Sequence, residues 1–261
     1  MRRTRLNEAP RDLPASIAEL VVGAPIYDSS CSPEARVYFI DRDTGFFLKR
    51  ANAGTLRKEA EMDVFFHSRG LGAQVIDYVT DEHDWLLTRR VRGEDMTHTD
   101  YLNNPKRLCD TLAHLLRELH EKSTEGCPIT DRVTDYLTLA EERYREGIFD
   151  TSLYPDGCEW KCADDAWSFI SENKSLLRSD VLIHGDYCLP NVILDGWRLS
   201  GFIDLGGGGI GDRHIDLFWG AWTLRYNLKT DELRERFFDA YGRDVINSDA
   251  IRMIGAAELF G

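Results

Sequence analysis

No run in the 261-residue sequence approaches the ~20 consecutive apolar residues that a helix needs to cross a bilayer. The opening Met1-Arg2-Arg3-Thr4-Arg5 is basic, but no apolar stretch follows it, so no secretory leader is read and a cytoplasmic protein is expected. Cys-x-x-Cys pairs are absent as well. The six cysteines (Cys31, Cys109, Cys127, Cys158, Cys162 and Cys188) are scattered. Cys158 and Cys162 would make only half of a zinc site, and reduced, unlinked thiols are expected. Positive charge is in short supply, with 32 Lys and Arg against 45 Asp and Glu and a formal net charge of -13. That balance argues against nucleic acid or an anionic membrane as partner, and it is compatible with a cationic small molecule. No Gly-x-x-x-x-Gly-Lys-Ser/Thr segment occurs, which sets aside a P-loop fold.

What the sequence does carry is His184-Gly185-Asp186-Tyr187-Cys188-Leu189-Pro190-Asn191, followed by Phe202-Ile203-Asp204-Leu205-Gly206. Asp186 and Asn191 share one loop, and Asp204 follows beyond a short hairpin, so three oxygen-bearing side chains fall on two adjacent strand ends. Phosphoryl transfer needs little covalent help from protein; it needs an oriented hydroxyl and a divalent cation held by carboxylate and amide oxygens. In that chemistry Asp186 accepts the hydroxyl proton, while Asn191 and Asp204 hold the metal. The Asp-x4-Asn spacing matches the catalytic loop of protein kinases, and Asp-Leu-Gly stands where those enzymes carry Asp-Phe-Gly. The plain alternative is a pair of β-turns, since Asp, Asn and Gly are ordinary turn residues.

The organisation around this segment is α+β, with strands and turns dominating the first ~90 residues and helices thereafter. Strands are expected at Arg36 to Ile40, Gly45 to Lys49, Gln74 to Tyr78 and Trp85 to Arg90, with one helix from about Thr55 to Ser68. Val91-Arg92-Gly93-Glu94-Asp95 breaks the pattern and marks the expected boundary, which gives lobes of 1–91 and 92–261. Asn104-Pro105 places an N-cap and a first-turn proline before a leucine-faced helix to about Lys122. Further helices are expected at Val133 to Glu146, Ala163 to Glu172, Arg213 to Arg225, Thr230 to Tyr241 and Ser248 to Phe260. Between them lie strands at Val181 to Ile183, Val192 to Leu194 and Leu199 to Ile203, with Asp195-Gly196 as a hairpin turn.

Lys49 ends an apolar strand where a nucleotide-contacting lysine would stand, and Glu59 lies on the helix face shared with Met62, Asp63 and Phe66, in reach of an ion pair. Without the Asp motifs Lys49 would read as a solvated strand end. Ser29-Ser30-Cys31-Ser32-Pro33 is the candidate phosphate-covering turn, a composition that also makes any surface loop. The Gly206-Gly207-Gly208-Gly209 run follows the metal Asp and reads as mobile backbone rather than a phosphate cradle. Asp216, at the head of an apolar helix, is placed to accept backbone N–H bonds from the catalytic loop. Asp212 reads as that helix's N-cap, His120 as a satisfied core residue and His184 as loop support.

On these residues the chain resembles the aminoglycoside phosphotransferase family, particularly the 3′-phosphotransferases that confer kanamycin and neomycin resistance. The likeness rests on Ser32-Pro33 with Arg36-Val37-Tyr38, Lys49, Glu59, Leu119-His120 with Cys127-Pro128, His184-Gly185-Asp186 and Leu189-Pro190-Asn191. It continues through Ser200-Gly201-Phe202-Ile203-Asp204-Leu205-Gly206 and Asp212-Arg213 to Glu258-Leu259-Phe260. The resemblance implies a two-lobed protein-kinase-like fold, with a small β-rich N-lobe, a larger mainly helical C-lobe, and ATP or GTP with magnesium in the cleft. Adenine would bond to backbone near Arg89 and Val91, and Lys49 would hold nucleotide phosphates.

The acceptor side departs from the pattern. Relatives bind cationic aminosugars through carboxylates, and Glu258 matches the C-terminal one. Where some carry a Glu-Asp pair, this chain has Tyr226-Asn227; Glu141, Glu142, Asp150, Asp156 and Glu159 are further acidic candidates. The expected protein is a monomer or homodimer acting on a small hydroxylated acceptor. A kinase for another hydroxylated metabolite or antibiotic, and a nucleotide-binding pseudokinase, are the competing readings.

Overall fold

Alternating burial along short strands builds the first part of the molecule. The computed structural model describes residues 3–10, 12–31, 35–154 and 157–261. These form two compact units, one of residues 1–94 and 192–206, the other of residues 95–191 and 207–261.

The first unit holds a six-stranded antiparallel sheet in the order Thr4–Arg5, Ile26–Asp28, Arg36–Ile40, Phe46–Asn52, His83–Arg89, Val75–Thr80. In the strand Phe46–Asn52, Phe46 and Leu48 point to one face. There they join Ile17, Val21, Ile26, Tyr38, Ile40, Trp85 and Leu87 in a core. Strand geometry sends Lys49 to the opposite face. Helix Arg57–Ser68 buries Glu59, Ala60, Met62, Asp63, Phe65 and Phe66. Its start is fixed by Asp84, whose Oδ2 accepts the Leu56 N–H at 2.8 Å. The segment 192–206 belongs to this unit, an excursion that a single boundary after Val91 does not contain. It forms the hairpin Val192–Asp195 and Arg198–Phe202, with Gly196 at φ 67° in its turn. Phe202 anchors it, donating its N–H to Leu71 O at 2.7 Å and setting its ring edge-on against Phe66.

The second unit is mainly helical: Pro105–His120, Arg132–Arg145, Ala163–Asn173, Arg213–Leu228, Arg234–Tyr241 and Ser248–Ala257. Leu108, Leu112, Leu116 and Leu119 line one fully buried face of the first of these. Pro105 opens it, but Asn104 makes no side-chain cap; its amide donates instead to Asp100 O.

Several expected elements are altered. Helix Ala15–Val21 and strand Ile26–Asp28 were not read from the sequence. The helix expected from Thr230 begins at Arg234, because Lys229 takes a left-handed φ of 57° that ends the preceding helix. The last helix stops at Ala257, and Glu258–Phe260 is a 3-10 turn. The glycine run is not loose backbone. Gly209, the last of the run, opens the strand Gly209–Gly211 antiparallel to Val181–Ile183, and a Cβ on it would stand 2.6 Å from Arg132 Cγ. Glycine is there to admit close packing.

Replacing Leu116 by Ala, at a fully buried position, should cost about 2–5 kcal/mol in urea unfolding. Leu139→Ala, at a 45% exposed position, should stay within about 0.5 kcal/mol.

Candidate functional site

In the first unit the strand Phe46–Asn52 and helix Arg57–Ser68 bring Lys49 to Glu59, with Nζ 3.0 and 2.8 Å from the two carboxylate oxygens. Asp204 completes the group, its Oδ1 2.7 Å from the same ammonium. All three ammonium donors therefore have carboxylate partners. Burial alone would lower the Lys49 pKa, but the carboxylates of Glu59 and Asp204 outweigh it and the net shift is upward. Glu59 is pushed up by burial, against the pull of Lys49. Asp63, one helical turn beyond Glu59, is pushed well above the usual carboxylate value by burial and by Glu59, with Lys49 opposing. Sequence placed Asp63 on this face without giving it a role; an acid on an otherwise apolar helix face was the available signal. Asp204 sits at φ 62°, a left-handed conformation uncommon for a residue with a Cβ. Its side chain is about half exposed.

Arg89 ends its strand with its N–H donated to Gln74 O at 2.8 Å. Its guanidinium lies over the Phe46 ring, 5.1 Å from the centroid. Val91 follows, half-buried. Ser32 and Asp156 lie outside the described residues.

In the second unit the loop after strand Val181–Ile183 is held from inside. The Asp216 carboxylate, wholly buried, accepts the N–H groups of His184 at 2.8 Å and Gly185 at 2.7 Å, and its Oδ2 lies 3.1 Å from His120 Nε2. His120 Nδ1 meets Tyr241 Oη at 2.7 Å. His120 is thus a satisfied core residue and Asp216 braces the loop, as the sequence suggested. Asp212 caps helix Arg213–Leu228 by accepting the His214 N–H. Gly185, at φ 84°, passes so close to Gly207 that an added Cβ would meet its carbonyl oxygen at 2.0 Å. The Asn191 amide nitrogen donates to Asp186 O at 3.0 Å and Asp186 Oδ2 at 2.8 Å. That turns the amide oxygen away from Asp186. Asp186 itself is part-exposed.

Glu258 lies in the same unit and accepts two bonds on Oε1, from Tyr136 Oη at 2.8 Å and Trp219 Nε1 at 3.1 Å. Burial pushes its carboxyl up to about 7, with the Asp186 charge adding to the shift and the two donors opposing it. Tyr136 and Trp219 were missed from sequence; no local pattern links them to Glu258. Tyr226 is 56% exposed, and Asn227 donates to Thr223 O and Oγ1. Of the other acids, Glu141 pairs with Arg145, Glu159 with Arg252, and Asp150 accepts from Ser152.

The profile of the Phosphotransferase enzyme family matches residues 33–254. The chain belongs to this family. It is 49% identical over 250 residues, 95% of each chain, to a probable aminoglycoside 3′-phosphotransferase of Lactococcus lactis subsp. lactis. It is 30% identical over 257 residues to an aminoglycoside 3′-phosphotransferase of Niallia circulans, covering 95% of this chain and 97% of that one. The solved structure of an aminoglycoside 3′-phosphotransferase of type VIII superposes with a TM-score of 0.75 at 25% identity, over 92% of this chain and 94% of its own. An α+β phosphotransferase fold follows, and with it a transferase that acts on hydroxyl groups.

Glu258 also sets a pH dependence. The folded carboxyl keeps its proton to about 7 and the unfolded one releases it near 4.5. Between those limits the folded state binds more protons, so its stability falls as pH rises through them. Urea unfolding between pH 4 and pH 8 should show wild type losing stability relative to Glu258→Gln, with the difference levelling above about pH 7. A constant difference would contradict the shift.

Proposed function

We propose that this phosphotransferase moves the γ-phosphoryl group of ATP or GTP, with Mg2+, onto an aminoglycoside hydroxyl, the 3′-hydroxyl foremost, and so confers resistance. The names of two relatives that each match 95% of the chain support the acceptor class. The observation that carries the mechanism is the Asp186–Asn191 loop. Its amide nitrogen is spent on Asp186, so that the amide oxygen is left for a hard cation, which prefers oxygen ligands. Asp204 supplies a carboxylate of the same chemistry. Asn191 and Asp204 would then be the metal ligands, and a cation held by them would neutralise charge on the phosphate oxygens.

Asp186 orients the acceptor hydroxyl and accepts its proton as the oxygen bonds to the γ-phosphorus, whose bond to the β,γ-bridging oxygen breaks to release the nucleoside diphosphate. Lys49, pre-set by Glu59, exchanges its Asp204 contact for a phosphate oxygen, and the ammonium stays charged because two carboxylates hold it so. Arg89 and Val91 are the backbone positions for the base, and Ser32 belongs to the phosphate-covering turn. Glu258, with Asp156, Tyr226 and Asn227, serves the acceptor.

Asp186→Asn should lower kcat by roughly 10²–10⁴-fold with unfolding behaviour unchanged, read in a coupled nucleoside-diphosphate-release assay over kanamycin and neomycin with both nucleotides. Full activity in that variant would overturn the assignment. For Asp204→Ala, calorimetric titration with nucleotide should lose the difference between runs with and without Mg2+ that wild type shows; a retained difference would remove Asp204 from the ligand set.

A further inference from the structure

Helix Arg213–Leu228 carries Trp219, Trp222 and Tyr226 at helical spacing, three and four residues apart, which puts their side chains in one row. Trp219 and Trp222 meet edge to face at 5.4 Å, and the Tyr226 ring stacks on Trp222 with centroids 4.8 Å apart and planes 14° from parallel. The row starts at a carboxylate, because Trp219 Nε1 donates to Glu258. Trp222 is pinned by its own N–H, which donates to Leu153 O at 3.2 Å. At the far end Tyr226 is 56% exposed. With one face taken by the indole, its other face carries the Lys229 ammonium, 4.3 Å from the ring centroid.

A ring that already holds one ammonium shows which chemistry the position accepts. Aromatic faces attract cations through their quadrupole, and the C-terminal end of a helix adds negative potential. Lys229 is the residue that ends this helix, in a left-handed conformation, and its flexible stem can leave the ring at little cost. The row is also tied to the catalytic loop. Asn227 donates to Thr223 Oγ1, and that same oxygen accepts the Leu189 N–H at 3.2 Å. The last turn of the helix is thereby registered against the loop that carries Asp186.

We propose that the exposed face of Tyr226 is a subsite for one ammonium of a polycationic amino sugar, with Lys229 as its resident stand-in and Trp222 as its positioning residue. This rests on the aminoglycoside reading above and adds how the acceptor is recognised: an aromatic face at one end of the row and the Glu258 carboxylate at the other. Trp219 and Tyr226 lie about 10 Å apart along the helix axis, further than a single pyranose reaches. The fitting ligand has at least two linked rings bearing amines.

Calorimetric titration of the full chain with kanamycin, beside steady-state kinetics with the same compound, tests this. Tyr226→Leu should raise both Kd and KM by about 3- to 30-fold, with kcat within about twofold. Tyr226→Phe, which keeps the ring, should recover most of that loss. Lys229→Met should lower Kd a few-fold by removing the competing ammonium. If wild type phosphorylates kanamycin and Tyr226→Leu leaves Kd and KM unchanged, the subsite is overturned and the aminoglycoside reading stands. If wild type neither binds nor phosphorylates any amino sugar tried, that reading fails and takes the subsite with it. A fall in kcat or thermal stability without a change in Kd would make Tyr226 a merely structural stack.

Discussion

A carboxylate buried without partners is costly enough that it protonates or the fold gives way. Asp216 has its partners, because two backbone N–H groups and an imidazole converge on it, and much of the second unit follows from meeting this demand. The two amides belong to His184 and Gly185, so satisfying the acid fixes the backbone immediately before Asp186. The imidazole belongs to His120 at the end of a leucine-faced helix, and its other nitrogen reaches Tyr241. Three helices and the loop are thereby tied at one charge. The position of Asp186 is set by the interior rather than by its own exposed surroundings.

The first unit solves a different electrostatic problem. One ammonium faces Glu59 and Asp204 directly, and Asp63 lies one helical turn away. Lys49 donates directly to two carboxylates, and the third acid, buried and without a direct bond from that ammonium, is pushed upward by burial and by Glu59. The pairing is unequal by exposure: the Glu59 side chain is 9% accessible and that of Asp204 49%. Buried pairs are costly to break, exposed ones cheap. Lys49 thus has one buried partner and one half-exposed partner, and on the function proposed above an incoming phosphate oxygen would meet the weaker contact.

Local features were legible in the sequence because their geometry is local. Asp186 and Asn191 share one loop, so their spacing already placed the two side chains together, although the bond between them was not read. Lys49 and Glu59 lie on one strand and the next helix, where period two and period 3.6 settle which faces meet. Helix Ala15–Val21 and strand Ile26–Asp28 were not legible: both are short, and their apolar residues are held by the sheet core rather than by propensity. The glycine run misled for a related reason. Glycine signals freedom when read alone, whereas at Gly209 the space its Cβ would need is filled by Arg132 and Ile129. Glu258 draws its donors from Trp219 and Tyr136, 39 and 122 residues away, and nothing in a linear reading joins them.

That last case explains why reaction chemistry and acceptor chemistry differ in legibility. The groups proposed to handle phosphate are few, polar and placed by one loop, one strand and one helix, so a motif captures them. Acceptor recognition, on the reading proposed above, is assembled from side chains that meet only through packing of the helical unit. Its charges need not come from the recognising residues themselves. In this chain the helix Arg213–Leu228 carries Tyr226-Asn227 in its last turn rather than acids. On the subsite proposed above, an ammonium there would be drawn by the ring quadrupole and the helix C-terminus, with no carboxylate added to the unit.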